Sequence, residues 1–364
     1  MVVRVKYWLA FLLRKSGILF LARRRPFGGV TILCYHRVFN DPRSMRDYCF
    51  PGMAISRKMF DAQMACLAKY YHVVCLSHAV ECLKSGRSLP VGAVVITFDD
   101  GYMDNYLYAY PVLQKYELPA TFFLVSEFMG GKSLLWFDRI ARLLDCAEAG
   151  PALPALFRTH LPAALSERAS ALMAAHAASR PQKISAVVGL LKGAPAAAVA
   201  GLVEALAKQF PAAAESAGAD GGMSWEMLRE MTRNGMDVGS HTQTHTILTG
   251  LPADRVEHEI GESKRQLEQQ LSTTVRWFCY PNGNFDDRIW KNLARHGFWA
   301  ACALRYGSNK SANDLTALRR ININEAFSAD LFGDFSENVF MAELAGLFDW
   351  VLLRRFRRGS PSYK

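Results

Sequence analysis

The run from Val91 to Phe98 constrains the fold of this chain more than any other stretch. It reads as a buried strand rich in Val and Ile, and it ends on two adjacent carboxylates, Asp99 and Asp100. Ionised carboxylates at the mouth of such a strand are costly unless a metal, a cation or a proton compensates them. The stretch Thr97-Phe98-Asp99-Asp100-Gly101-Tyr102 taken alone also reads as a turn, because Asp-Gly is a common turn dipeptide and the first acid can cap the next segment.

A second cluster favours the metal. Another short apolar strand, Met236-Asp237-Val238-Gly239-Ser240, runs directly into His241 and His245. Two imidazoles four residues apart can face one point, and with a carboxylate they make a divalent metal site that keeps open positions. Either histidine alone reads equally as a solvated or hydrogen-bonded residue. A third segment, Arg276-Trp277-Phe278-Cys279-Tyr280-Pro281-Asn282-Gly283, is an aromatic strand broken by a turn that can present backbone N–H groups to an anion.

These three motifs, in this order, resemble those of the polysaccharide deacetylases of the carbohydrate esterase 4 (NodB-homology) superfamily. The resemblance covers residues 30–130 and 223–325. It implies an α/β fold, a distorted (β/α) barrel with a metal at the carboxyl ends of its strands. By the same resemblance, Asp100, His241 and His245 hold one divalent ion, zinc first with cobalt or nickel also admitted. Asp99 is then the base for the attacking water, and the backbone of Tyr280, Pro281, Asn282 and Gly283 stabilises the oxyanion. The residue types suit that chemistry: a Lewis-acidic ion polarises an amide carbonyl, a neighbouring base completes the attack of water, and a proton donor releases the amine.

In many members of the superfamily that donor is a histidine near the end of the domain, but this chain has none after His296. It has instead Thr31-Ile32-Leu33-Cys34-Tyr35-His36, an apolar strand ending in a histidine. That arrangement resembles the circularly rearranged branch containing poly-N-acetylglucosamine deacetylases, and it implies His36 as the general acid. The widespread third motif carries an arginine where this chain has Cys279, so another group must orient Asp99. The resemblance points to Leu318-Arg319-Arg320-Ile321-Asn322, with Arg320 favoured over Arg319. Strand alternation puts Arg320 on the side of Leu318 and Asn322, opposite Ile321 and Ile323, without saying which side is inward.

A chain of 364 residues exceeds one such barrel. The excess falls in a basic apolar segment at 1–29, an Ala-rich helical insertion at 131–222 and an amphipathic basic segment at 331–364. The barrel is divided between 30–130 and 223–330. The insertion, broken by several prolines, reads as short helices forming a lid, a substrate wall or a passive layer. In it Trp136 is a sugar-stacking candidate, or with Phe137 an anchor to the barrel.

Charge is concentrated at the ends. Residues 1–29 hold seven cations and no acid, and residues 339–364 hold five cations and two acids, which accounts for the whole net charge of +10. A neutral body without a recognised motif argues against a nucleic-acid partner. Apolar runs beside these cations predict peripheral attachment to an anionic membrane surface, at about 1 kcal/mol per basic residue. The eight cysteines show no paired spacing, and with no cleavable signal peptide read at the start they predict reduced thiols in a cytoplasmic setting, while the absence of Cys-x-x-Cys argues against a zinc–thiolate site. The expected activity is metal-dependent N-deacetylation of an N-acetylated amino sugar, in a polysaccharide or a lipid-linked glycan. The alternatives are a catalytically silent carbohydrate-binding protein on the same fold, or a hydrolase of another acyl amide such as a sugar formamide.

Overall fold

The computed structural model describes residues 2–23, 29–48, 50–131, 134–147, 152–211 and 220–348. Its main strands are β1 (Thr31–Tyr35), β5 (Ala93–Phe98), β6 (Thr121–Leu124), β7 (Asp237–Ser240), β8 (Trp277–Cys279), β9 (Ala300–Cys302) and β10 (Ile321–Asn322). They form one parallel sheet in the order β10-β1-β5-β6-β7-β8-β9. β4 (His72–Val73) pairs with the start of β5. Two further strands, β2 (Arg37–Phe39) and β3 (Ala54–Ser56), form a separate parallel pair.

The sheet curls until its ends meet. The Leu318 amide donates to the Ala301 carbonyl at 2.7 Å and Ala303 donates to Leu318 at 2.9 Å, while β10, three residues further on, pairs with β1. The segment leading into β10 therefore bridges β9 to β1, and the result is the distorted parallel barrel expected from the sequence.

Alternation along each strand separates two cores. Ile32, Val95, Phe123, Trp277, Cys279 and Cys302 point into the barrel, where helix Leu76–Ser85 plugs the amino end with Leu76, Ala79, Val80 and Leu83. Leu33, Ile96, Phe122, Phe278, Ala301 and Ile321 point outward into the larger core beneath the surrounding helices. Gly239 has no side chain because a Cβ there would lie 2.4 Å from the Phe123 ring. Interior side chains are small near the carboxyl ends, which leaves space for polar groups.

Among the described residues of the insertion between β6 and β7 are the helices Trp136–Ala147, Leu153–His160, Ala163–Ala174, Arg180–Leu191 and Ala196–Gln209, and a further helix, Trp225–Arg233, leads into β7. The apolar faces of the insertion helices, including Ile140, Leu144, Phe157, Val188 and Leu202, pack on one another. At the amino end, helices Val2–Lys15 and Ile18–Arg23 lie against helix Glu337–Leu344. Lys6 is paired with Glu343, and Arg14 Nη1 donates to Glu337 Oε1 at 2.8 Å. Part of the terminal positive charge is thus spent inside the molecule. The helix Glu337–Leu344 is followed by a turn with Gly346 at φ 64°, after which Leu347 and Phe348 are again helical. Val351, Leu352 and the arginines from Arg354 to Arg358 lie outside the described residues, as do Arg24, Arg25 and Cys49. The other seven cysteines form no disulfide. No helix among the described residues is long and apolar enough to cross a membrane.

Candidate active site

Four strands deliver polar groups to the carboxyl end of the barrel. β1 ends at His36, β5 at Asp99 and Asp100, β7 leads into His241 and His245, and the segment closing the ring carries Arg320. Every one of these residues is buried. The backbone is strained at the same place: of six non-glycine residues with positive φ among the described residues, four are Asp100, Thr242, His245 and Asn282.

Asp99 is held by a fork. Arg320 Nη1 donates to Asp99 Oδ1 and Nη2 to Oδ2, both at 2.7 Å, and Nη1 also donates to Thr97 Oγ1 at 3.1 Å. Bidentate, charge-assisted geometry of this kind fixes both the position and the charge of a carboxylate. Burial alone would push Asp99 up, but the Arg320 charge and its hydrogen bonds, with smaller effects of His241 and His36, hold it well below the usual carboxylate range. Cys34 and Cys279 place their thiols 3.4 Å and 3.5 Å from Asp99 Oδ2. Burial pushes both thiols up, so they stay protonated donors. Cys279 also lies 3.0 Å from Arg320 Nη2; the small side chain at 279 leaves room for a guanidinium arriving from another strand. Arg319, by contrast, is exposed.

Asp100 is the opposite case. Neither of its oxygens has a hydrogen-bond partner, although the side chain is 1% exposed. Burial first, then the charges of Asp99 and Asp138, push this carboxyl well above its ordinary range. His241 Nε2 and His245 Nε2 stand 3.5 Å and 3.3 Å from Asp100 Oδ1 without hydrogen-bonding alignment. The Nδ1 of His241 lies 2.7 Å from the Cys279 carbonyl, which fixes the tautomer with Nε2 unprotonated toward Asp100. Burial keeps both rings neutral by lowering their pKa values. Three donor atoms facing one point, with two orphaned anionic oxygens, fit a divalent cation. Two other sets of possible ligands, Cys34-His36-Asp99 and Asp99-His241-Cys279, fit poorly because Asp99 is committed to Arg320 and the thiols are protonated.

His36 Nε2 lies 3.8 Å from Asp99 Oδ2. Burial lowers its pKa to about 4, so the ring is neutral at rest. The Asn105 side-chain amide donates to the His36 carbonyl at 2.7 Å and pins the strand end. Tyr280 turns its hydroxyl away, to the Thr316 carbonyl at 2.8 Å, and stacks on Phe285. At the turn after β8, the Tyr280 amide donates to Cys302 and the Gly283 amide to Tyr280, while Pro281 has none to give. This leaves the Asn282 N–H, at φ 57°, as the donor available to an oxyanion.

Two positioning groups have no motif of their own. Glu259, buried on helix Ala253–Leu271, accepts from the Gln243 and Thr244 amides at 3.1 Å and 3.0 Å and so holds the loop bearing both histidines. An acid on the apolar face of an amphipathic helix is its only trace in the sequence. Lys192, at the end of helix Arg180–Leu191, donates to Asn282 Oδ1 at 3.0 Å and faces the Asp100 charge. Nothing in an Ala-rich segment distinguishes it. Trp136 donates to the His245 carbonyl at 3.3 Å and Phe137 packs edge-on against the His245 ring, so this pair anchors the insertion to the histidine loop.

The cation site has a direct check. Calorimetric titration of chelator-treated protein should reveal one tight zinc equivalent. Asp100→Asn or His245→Ala should weaken it by more than the about 10–100-fold that loss of an outer partner costs. Equal affinity in all three proteins would rule this site out.

Comparison with known proteins bears on the same residues. The family described as "Polysaccharide deacetylase" matches residues 86–150 and 180–301. YxkH of Bacillus subtilis (strain 168) is 21% identical over 309 residues, covering 85% of this chain and 76% of the relative. The poly-beta-1,6-N-acetyl-D-glucosamine N-deacetylase of Escherichia coli K12 is 30% identical over 105 residues, 29% of this chain and only 15% of that protein. Among solved structures, IcaB from Ammonifex degensii superposes with a TM-score of 0.54 at 20% identity, covering 87% of this chain and 97% of the other. The Streptococcus pyogenes deacetylase PplD in complex with acetate gives 0.52 at 20% identity, with 81% and 92% covered. At these identities the structural likeness speaks to the fold.

Proposed function

Given that this chain belongs to the polysaccharide deacetylase family, we propose that it hydrolyses the acetamide of an N-acetylated amino sugar by a metal-dependent route. The observation that carries this reading is the division of labour between adjacent acids: Asp99 is locked to Arg320, while Asp100 faces two imidazoles with both oxygens unpaired. Asp100, His241 and His245 would hold the cation, zinc in the first place, which would polarise the amide carbonyl and acidify a water beside it.

The chain's own groups do the remaining work. Asp99, kept ionised and aimed by Arg320, takes the proton of the attacking water. The Asn282 N–H receives the developing oxyanion. His36, neutral at rest with Nε2 3.8 Å from Asp99 Oδ2, takes up the proton that Asp99 removed from water and delivers it to the amine nitrogen as the carbon–nitrogen bond breaks, which returns Asp99 to its ionised form. Acetate and a free amino sugar leave, with one water consumed. Release of acetate from an N-acetylglucosamine pentamer, followed by proton NMR, tests this. The zinc-loaded protein should turn over, and His36→Ala should lose about 10²–10⁴ in kcat. Acetate release that is insensitive to His36→Ala would remove that residue from the scheme. An inert zinc-loaded protein would favour a silent carbohydrate-binding role or another acyl amide.

The setting belongs to the same proposal: a cytoplasmic enzyme peripheral on an anionic membrane, where a lipid-linked glycan would be presented. In support, Trp8, Leu12 and Leu21 are 56%, 61% and 66% exposed on the outer side of the N-terminal helices, with Lys15 beside them. An apolar helical face edged by cations suits the interfacial region of a bilayer. In flotation with anionic vesicles the full chain should rise with the lipid. Replacing both Trp8 and Leu12 by glutamate should leave it below. Absence of flotation by the parent protein would refute the membrane setting without touching the chemistry.

A further inference from the structure

Beside the loop that carries His241 and His245 lies a cavity of about 860 Å³, half open to solvent, between the insertion and the barrel. Thr244 and Thr246, which flank His245, form part of its floor, and Trp136 forms part of its wall. The rest of the wall is largely apolar, contributed by Leu135, Leu191, Pro195, Val199, Ile247 and Leu251. Two cations reach this space from the insertion. Lys192 stands where the cavity meets the catalytic cluster, held by Asn282. Arg139 lines the cavity itself, and its Nε is buried without a hydrogen-bond partner.

An unpaired guanidinium nitrogen shielded from water is costly and calls for an explanation, and the side chain that carries it lines a cavity with room for a ligand. The preceding residue does not neutralise it: Asp138 faces the other way and accepts from the Tyr102 and Tyr48 hydroxyls at 2.5 Å and 3.3 Å. Of the two acids lining the cavity, Glu127 accepts from Gln243 Nε2 at 2.8 Å, and Glu204 is exposed on its helix, so neither completes the buried Nε. A planar fork in an apolar wall matches a phosphate or a carboxylate better than a neutral sugar hydroxyl.

We propose that this cavity is the subsite for the part of the substrate joined to the acetamido sugar, and that this part carries an oxyanion received by Arg139. The proposal rests on the deacetylase reading for its orientation toward the metal loop, and it deepens that reading: the substrate is an anionic glycan with apolar surface next to the charge. A phosphodiester linking the sugar to a lipid and the uronate of an acidic polysaccharide share that chemistry.

The test separates them and separates this proposal from the deacetylase reading. Binding is measured by calorimetry on zinc-loaded, full-length Asp99→Asn protein with three probes: the neutral N-acetylglucosamine pentamer, an octyl phosphodiester of N-acetylglucosamine, and an oligomer alternating N-acetylglucosamine with glucuronate. At least one anionic probe should bind about tenfold or more tighter than the neutral one, the advantage expected of a charge-assisted pair. Adding Arg139→Gln should erase that advantage and Arg139→Lys should retain part of it, in proteins whose melting curves match the parent. Preference for the phosphodiester identifies a lipid-linked substrate; preference for the glucuronate oligomer identifies an acidic polysaccharide. No anionic advantage, or an advantage that survives Arg139→Gln, overturns the subsite. Acetate release by the unmutated protein is scored separately. Anion binding that depends on Arg139 without acetate release would reject the deacetylase and keep the subsite, whereas turnover of the neutral pentamer with no anionic preference would do the reverse.

Discussion

Asp99→Asn should lower kcat for acetate release by about 10²–10⁴, the usual contribution of a positioned general base, while zinc still binds with one equivalent. The separation of the two effects comes from the geometry. Both oxygens of Asp99 are engaged by Arg320, whereas the donor atoms proposed for the cation are on Asp100, His241 and His245. An asparagine keeps the shape of the side chain but cannot accept a proton from water. It also turns an NH₂ toward one arm of the guanidinium, so some loss of stability accompanies the loss of rate. Saturating kinetics together with a zinc titration on the same preparation check the prediction. A variant that loses zinc as well would mean that Asp99 is a ligand and that the division between the two acids is wrong.

The second large effect is on stability. Arg320→Met should cost about 3–5 kcal/mol at neutral pH, because it leaves Asp99, 2% exposed, as a buried charge without its partner. The pH dependence has a definite sign. Asp99 is held below its unfolded value, so the stability it contributes is fully present above about pH 4 and is lost as the pH falls through the lower, folded value. The gap between parent and variant in urea midpoint should therefore be widest near neutrality and narrow in acid. Arg320→Lys should lose less stability but much of the activity, since an ammonium cannot hold both oxygens of the base in one plane. An Arg320→Met protein that unfolds at the parent's urea concentration would show that the pair does not hold this site together.

Much of the site could be read from strand ends. An apolar run that stops on polar, titratable residues is an economical reading of a barrel whose strands open onto one face, and it singles out His36, Asp99, Asp100, His241 and His245, which the fold gathers in one buried cluster. Arg320 was harder, for a reason peculiar to barrels. Alternation normally sorts inside from outside, but here Leu318, Arg320, Ile321 and Ile323 are buried on both sides of the chain. Ile321 and Ile323 belong to the outer core under the helices, and Leu318, the apolar neighbour on the arginine's own side, belongs to the inner one. Apolar character alone could not say which side faced Asp99. Cys279 is the complementary case. It stands where the widespread motif has an arginine, and its small thiol makes space for Arg320, delivered from the segment that closes the ring. Lys192 and Glu259 were illegible because each acts across a long-range contact between the insertion or a helix and the loops at the candidate site, and no local pattern encodes such a meeting. Among the terminal charges, the ion pairs of Lys6 and Arg14 with helix Glu337–Leu344 were invisible to a tally of cations.

The central claim is tested most directly by stripping the protein with a chelator, restoring one equivalent of zinc, and following acetate by proton NMR with the N-acetylglucosamine pentamer and both anionic probes. The account predicts no acetate before zinc is restored, release after it from at least one substrate, and none from His245→Ala carried through the same steps. Acetate release by the stripped protein, or a zinc-loaded protein that leaves every acetamide intact, would contradict it.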